Sequence, residues 1–215
     1  MSAEHSVEIE RKYDVDDGAS IPALGDLPGV ARVDDAEVRL LDAHYFDSAD
    51  RALAARRTVI RRRTGGPDEG WHVKRATAVG KTESRWPLDA RPVDAGPRDS
   101  ADPGPVPDEV RRAVAEITAG PFAPIARIRN TRIAHALLDA AGGLVAEFVD
   151  DHVVATDLGR GAETSWREWE LELGPAAPDG PRRRAAFFAA ADAVFAAAGA
   201  SPSASESKLG RALGV

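Results

Sequence analysis

The sequence predicts an α+β fold dominated by about eight antiparallel strands, enough to close a barrel. Three observations predict it. Period-two alternation recurs along most of the chain. The strand-like segments follow one another without regular helical crossovers, and helical patterns are confined to a few stretches.

The first strand is Val7-Glu8-Ile9-Glu10-Arg11-Lys12-Tyr13, with Val7, Ile9 and Tyr13 on one face and Glu8, Glu10 and Lys12 on the other. Residues 19–29 read as a short helical or turn element broken by Pro22 and Pro28. A strand over 36–47 ends at Tyr45-Phe46-Asp47. Residues 57–63 and 70–76 form a hairpin around Gly65-Gly66-Pro67, and 82–89 form the next strand. Residues 91–107, rich in Pro, Gly and Asp, read as an internal loop or linker. A helix follows over 107–119, with Asp108 and Glu109 near its start and Gly120-Pro121 as its stop. Strands are expected at 124–137, 143–155 and 165–173, with Gly142-Gly143 as a tight turn. The Ala-rich segment from Arg182 to Ala198 is the strongest helix, and Ser205 to Leu213 forms a short final one. The four tryptophans, Trp71, Trp86, Trp166 and Trp169, are expected to pack the outside of the sheet against helices. The whole chain, 1–215, reads as a single domain without internal repeats.

Composition excludes several classes. The chain has no Cys, which removes disulfides, thiolate zinc sites and cysteine nucleophiles together. It has no apolar run of membrane-spanning length, so no membrane partner is expected. Glu4, Glu8 and Glu10 stand where a secretory leader would be apolar, so a cytoplasmic protein is expected. Lys and Arg total 28 against 35 Asp and Glu, a net charge of −7, which argues against a nucleic-acid partner. The five histidines lack zinc-type spacing, and each reads as a surface or packing residue.

Where the charges sit matters more than their total. Glu8, Glu10 and Lys12 alternate on the first strand, Arg61 and Arg63 on another, then His72 and Lys74, then Lys81, Glu83 and Arg85. Arg127 and Arg129 alternate with Arg132 close behind, and Glu168, Glu170 and Glu172 alternate near the end. On any one strand this is the ordinary solvated face of an antiparallel sheet. Across strands, acidic and basic sets occupy different segments and are long enough to converge. If the sheet closes with this face inward, the lumen is a charged tunnel whose charges need partners. Carboxylates take hard divalent cations, and clustered Arg and Lys take phosphates.

These residues resemble the CYTH domains, the triphosphate tunnel metalloenzymes. Glu8-Ile9-Glu10-Arg11-Lys12 matches their N-terminal Glu-x-Glu-x-Lys signature. Tyr45-Phe46-Asp47, Ile60-Arg61-Arg62-Arg63, Trp71-His72-Val73-Lys74 and Lys81-Thr82-Glu83 follow in family order. Arg127, Arg129 and Arg132 resemble the central basic strand, Asp150-Asp151 the late acidic position, Glu168-Trp169-Glu170 the second Glu-x-Glu, and Ser207-Lys208 the closing lysine. The resemblance implies an eight-stranded antiparallel barrel flanked by helices, with residues 205–215 capping the tunnel. It implies metal at Glu8, Glu10, Asp150, Glu168 and Glu170, with Mg²⁺ or Mn²⁺ as one or two ions. Asp150 and Asp151 cannot both face the lumen of a regular strand, and Asp150 is favoured. The phosphate grip implied is Lys12, Arg61, Arg63, Lys74, Arg85, Arg127, Arg129, Arg132 and Lys208. The implied catalytic set is Glu8, Glu10, Lys12, Glu83 and Glu170, with Glu83 or Glu170 orienting the water.

The activity implied is metal-dependent hydrolysis of a triphosphate, inorganic tripolyphosphate first. Thiamine triphosphatase, adenylyl cyclase of the class IV type and a polyphosphate- or nucleotide-binding module without turnover are the alternatives. The partner expected is a triphosphate-containing small molecule, with monomer and homodimer both open. Two decoys fall away. Gly80-Lys81-Thr82 resembles the end of a P-loop, but Arg75 stands where the loop needs Gly. Ser205-Glu206-Ser207-Lys208 fits Ser-x-x-Lys without the partner motifs of that acyl-enzyme class.

Overall fold

The computed structural model describes residues 3–77, 80–88 and 103–215. Among these, the strands are β1 (Glu4–Glu8), β2 (Glu10–Val15), β3 (Arg32–Val33), β4 (Glu37–Asp47), β5 (Thr58–Thr64), β6 (Gly70–Thr77), β7 (Gly80–Trp86), β8 (Ala123–Leu138), β9 (Leu144–Asp157), β10 (Ala162–Leu173) and β11 (Ser201–Pro202). The α-helices are α1 (Ala52–Ala55), α2 (Asp108–Ala113), α3 (Pro181–Ala197) and α4 (Lys208–Leu213). Most of the expected loop over 91–107 lies outside the described residues.

All strand pairs are antiparallel, in the order β1-β7-β6-β5-β4-β8-β9-β10-β2-β11. The two halves of the N-terminal strand therefore sit at opposite ends of one path. Glu8 is paired with Lys81 on β7, and Glu10 with Glu172 on β10. Ile9, between them, accepts a backbone hydrogen bond from Leu173 at 2.9 Å. Counting β1 and β2 as one strand, the curled sheet has eight principal members, the rest being β7, β6, β5, β4, β8, β9 and β10. Gly80 permits the seam to close, because a Cβ there would lie 2.4 Å from the carbonyl oxygen of Glu8.

The period-two reading holds on the first strand. Tyr13 and Arg11 face outward, where Tyr13 donates a 2.8 Å hydrogen bond to Asp192 of α3 and packs edge-on against Phe195. Phe187, Phe188, Ala191 and Phe195 of α3 cover Tyr13, Phe148, Trp169 and Leu171 on the outside of the sheet. Pro181 starts this helix just after Gly180, the favoured place for a residue without an N–H. A second cluster seats Val110 and Val114 on Trp71, Val73 and Trp86. The helix expected over 107–119 is α-helical only to Ala113, where the chain passes into turns.

Three of the four tryptophans thus face outward, and Trp166 is the exception. Its indole Nε1 donates to Glu168 on the lumen face of β10, and Arg211 of α4 lies over its ring at 4.8 Å. α4 sits in the barrel mouth with Leu209, Ala212 and Leu213 against Ala43, Tyr45, Ile128 and Trp166. Ser207 caps it by accepting from the Gly210 N–H at 3.0 Å, and Gly214 ends it at φ 70°. This cap fixes Lys208 at the first turn, with its side chain aimed into the lumen.

Candidate functional site

The lumen encloses a cavity of about 550 Å³. Its charged wall carries Glu8, Glu10, Lys12, Arg61, Arg63, Lys74, Lys81, Arg132, Glu170, Glu172 and Lys208. Its other wall is largely apolar, with Leu41, Ala43, Tyr45, Phe46, Val59, Ile125, Leu209 and Leu213.

Strand register decides which acids converge. On β9 and β10, Asp151 stands opposite Glu168, and Asp150 opposite Trp169. Asp151, Glu168 and Glu170 are buried, and each offers a carboxylate oxygen within 4.8 Å of the others. Lys208 Nζ lies 2.8 Å from Asp151, 2.6 Å from Glu168 and 2.7 Å from Glu170. Arg132 donates through Nε and Nη2 to Asp151 at 2.8 and 2.7 Å, and to Glu170 at 2.8 Å. Burial alone would raise the Asp151 pKa, but the charges of Lys208 and Arg132 hold it well below the usual carboxylate range. Burial lowers Lys208, and Asp151 and Glu168 more than offset this, so its pKa is raised.

Asp150 is corrected by this register. It faces outward and accepts a two-pronged hydrogen bond from Arg167, 2.8 Å on each prong. The same guanidinium donates to the carbonyls of Asp16, Asp17 and Ala19, tying down the loop after β2. Asp150 is therefore tied up with Arg167 on the outward face, and Asp151 is the one that faces inward, buried against Lys208 and Arg132.

The Glu-x-Glu of the first strand meets a different set of cations. Glu8 accepts from Lys74 at 2.7 and 2.8 Å, and Glu10 from Lys81 at 2.6 Å. Lys12 lies 3.0 Å from Glu10 and also donates to Glu170, linking the two acidic groups. Burial pushes Lys12 down to about 8 despite Glu10. Glu172, opposite Glu10, is raised to about 7 by burial and by Glu8 and Glu10. Glu172 and Lys81 lie on the cavity wall, although the resemblance assigned them no ligand role. Their alternation with Glu170 and Glu83 was the available signal.

Arg61 and Arg63 line the cavity, with buried guanidinium nitrogens that lack hydrogen-bond partners among the described residues. Arg63 pairs with Asp68, and Arg61 approaches Glu83 at 3.5 Å. Two more corrections concern β8. Its even positions, Ile128, Asn130 and Arg132, line the cavity. Arg127 and Arg129 project to the other face, to Asp42 at 2.6 Å and to Glu163 at 2.9 Å. Arg129 keeps 52% of its side chain exposed. Arg85 shares the face of Glu83 but lies at the rim with Glu4, away from the cavity lining. These three arginines do not join the cationic wall.

The three-carboxylate group suits a hard divalent cation, because all its donors are carboxylate oxygens. The cationic wall suits the oxygens of a polyphosphate.

The CYTH domain model matches residues 6–184. Uncharacterised proteins from two Mycobacterium tuberculosis strains, CDC 1551 and H37Rv, are each 37% identical over 220 residues, covering 97% of this chain and 40% of the relative. The chain thus spans 40% of the length of the curated relatives it matches. In fold it resembles a candidate adenylate cyclase of Bacillus halodurans, with TM-score 0.62 and 19% identity over 96% of this chain and 97% of that one. It also resembles a candidate adenylyl cyclase of Hippeastrum whose structure is described as revealing a dominant triphosphatase activity. There the TM-score is 0.54 and the identity 18%, over 96% and 95% of the two chains. No helix among the described residues is long and apolar enough to cross a membrane. The chain belongs to the CYTH domain family, which includes triphosphatases and class IV adenylyl cyclases.

Proposed function

We propose that this chain hydrolyses a triphosphate in the barrel lumen with Mg²⁺ or Mn²⁺, and that inorganic tripolyphosphate is its substrate. The observation that carries this reading is the meeting of Arg61, Arg63, Lys74, Lys81, Arg132 and Lys208 with two sets of carboxylates around one cavity. Phosphoryl transfer asks for positioning and charge neutralisation more than for a covalent nucleophile, and the lumen offers those two things.

Glu8 and Glu10 on one side, and Asp151, Glu168 and Glu170 on the other, would hold the metal. When bound, the metal supplies charge neutralisation at the phosphate oxygens and a lowered pKa for the attacking water. Arg61 and Arg63 present their forks to non-bridging oxygens, where charge shifts during transfer. Lys12, with a pKa of about 8, is positioned to hold a proton near the leaving phosphate. Either Glu170, shared by Lys12, Arg132 and Lys208, or Glu83 would orient the water.

The apolar wall favours a second reading, a triphosphate carrying an organic group such as thiamine or a nucleoside. One assay tests both: phosphate release from tripolyphosphate, thiamine triphosphate and ATP, with Mg²⁺ or Mn²⁺ and then with EDTA. Metal-dependent release, fastest from tripolyphosphate, is expected. Binding without turnover of any of them overturns the enzymatic reading.

A further inference from the structure

We infer that His72 is a positioning residue for substrate binding, acting through Glu83 to keep Arg61 available to phosphate. This rests on the triphosphatase reading above. His72 lies on β6, opposite Arg61 on β5 and Arg85 on β7. Its side chain is fully buried. A polar ring in that position needs a reason.

The reason is its partner. His72 Nδ1 lies 2.7 Å from Glu83 Oε1. Burial, then the charge of Arg61, pushes the imidazole down to about 3, so the ring is neutral at physiological pH. Burial raises the Glu83 pKa, but the His72 hydrogen bond and the charges of Lys74 and Arg61 hold it well below the usual carboxylate range. A neutral ring facing an ionised carboxylate must donate, so Nδ1 carries the proton.

The same Oε1 is also 3.2 Å from Lys74 Nζ and 3.5 Å from Arg61 Nη2. His72 thus makes the shortest of three contacts to one oxygen. Arg61 is held at longer range, near enough to be placed and too far for tight pairing, whereas Lys74 is bound to Glu8 at 2.7 and 2.8 Å. Arg61 Nε and Nη2 are buried without hydrogen-bond partners among the described residues. That arrangement leaves the Arg61 guanidinium uncommitted beside the cavity it lines. Without the His72 proton, Glu83 would close on Arg61, and substrate would have to break that ion pair before binding.

The test compares His72→Leu, His72→Gln and His72→Asn with the unaltered chain. Asn keeps an N–H near the Nδ1 position, whereas Gln carries its amide further out, towards Nε2. Steady-state kinetics with tripolyphosphate and Mn²⁺ are read beside calorimetric binding of tripolyphosphate in EDTA and thermal unfolding. His72→Leu and His72→Gln should raise KM and Kd by about tenfold, as expected for loss of one hydrogen bond to a charged group, with kcat little changed. His72→Asn should stay within about twofold of the unaltered chain, since that bond is kept. If His72→Leu fails to fold, the contrast between Gln and Asn decides. Equal KM and Kd in those two variants would overturn the inference while leaving the triphosphatase reading intact. An unaltered chain that neither binds nor hydrolyses tripolyphosphate would sink both.

Discussion

The ammonium of Lys208, in the first turn of the last helix, lies 2.8 Å from the carboxylate of Asp151, in the middle of β9. Asp151 is completely buried, and Lys208 keeps 13% of its side chain exposed. The tail is therefore bound to the lumen through its acids. Lys208→Ala would leave three neighbouring carboxylates short of one cation. We expect a loss of about 3 kcal/mol of stability in EDTA, the range for breaking a buried ion pair. Saturating Mn²⁺ should return part of it, because the ion binds the folded variant more tightly once the ammonium no longer competes for the three carboxylates. Urea unfolding with and without Mn²⁺ measures both effects, and equal losses in the two conditions would contradict the metal assignment. The variant should also raise KM, lower kcat or both.

Asp150 and Asp151 should separate cleanly. Asp150→Ala strips Arg167 of its carboxylate outside the barrel and should cost about 3 kcal/mol, with Mn²⁺ affinity unchanged. Asp151→Asn should weaken Mn²⁺ binding by about tenfold or more through loss of an anionic oxygen. Calorimetric titration with Mn²⁺ checks the pair, and the opposite ranking would place Asp150 in the site.

Glu8→Gln keeps the shape of a residue that accepts two hydrogen bonds from Lys74. It should fold with little loss and lower metal-dependent turnover by at least about 100-fold. Near-normal phosphate release would mean that the first strand takes no part in the chemistry.

Stability should fall as pH rises across the titration of Glu172. Its pKa goes from 4.5 to about 7 on folding, so between those values the folded chain holds more protons than the unfolded one. This contribution is fully present below about pH 4.5 and is lost as pH approaches 7. Glu172→Gln should remove the decline, on the order of 2 kcal/mol, in denaturant titrations run at several pH values in EDTA. A decline of the same size in the variant would assign it to another group.

Alternation was enough to read the strands and the inward face of the first one. Glu8, Glu10 and Lys12 share a face in any extended chain, because side chains repeat every two residues. The same rule separated Asp150 from Asp151 without saying which was inside. It also could not place Arg127 and Arg129 against Arg132, since the odd and even members of one strand both looked basic. Those choices were made by pairing: Asp151 opposite Glu168 and Arg132, Asp150 opposite Trp169 beneath α3. His72 read as a packing residue because nothing local ties it to Glu83, a neighbour only across the β6–β7 ladder.

The sequence by itself carried the resemblance to the family, a set of about eight antiparallel strands and the alternation of charge along each of them. The tertiary structure decided which face of each later strand turned inward, where the ring closed and what the last helix touched. The physical reason is that alternation is local, whereas inside and outside are set by register, helix cover and the burial of charge against charge.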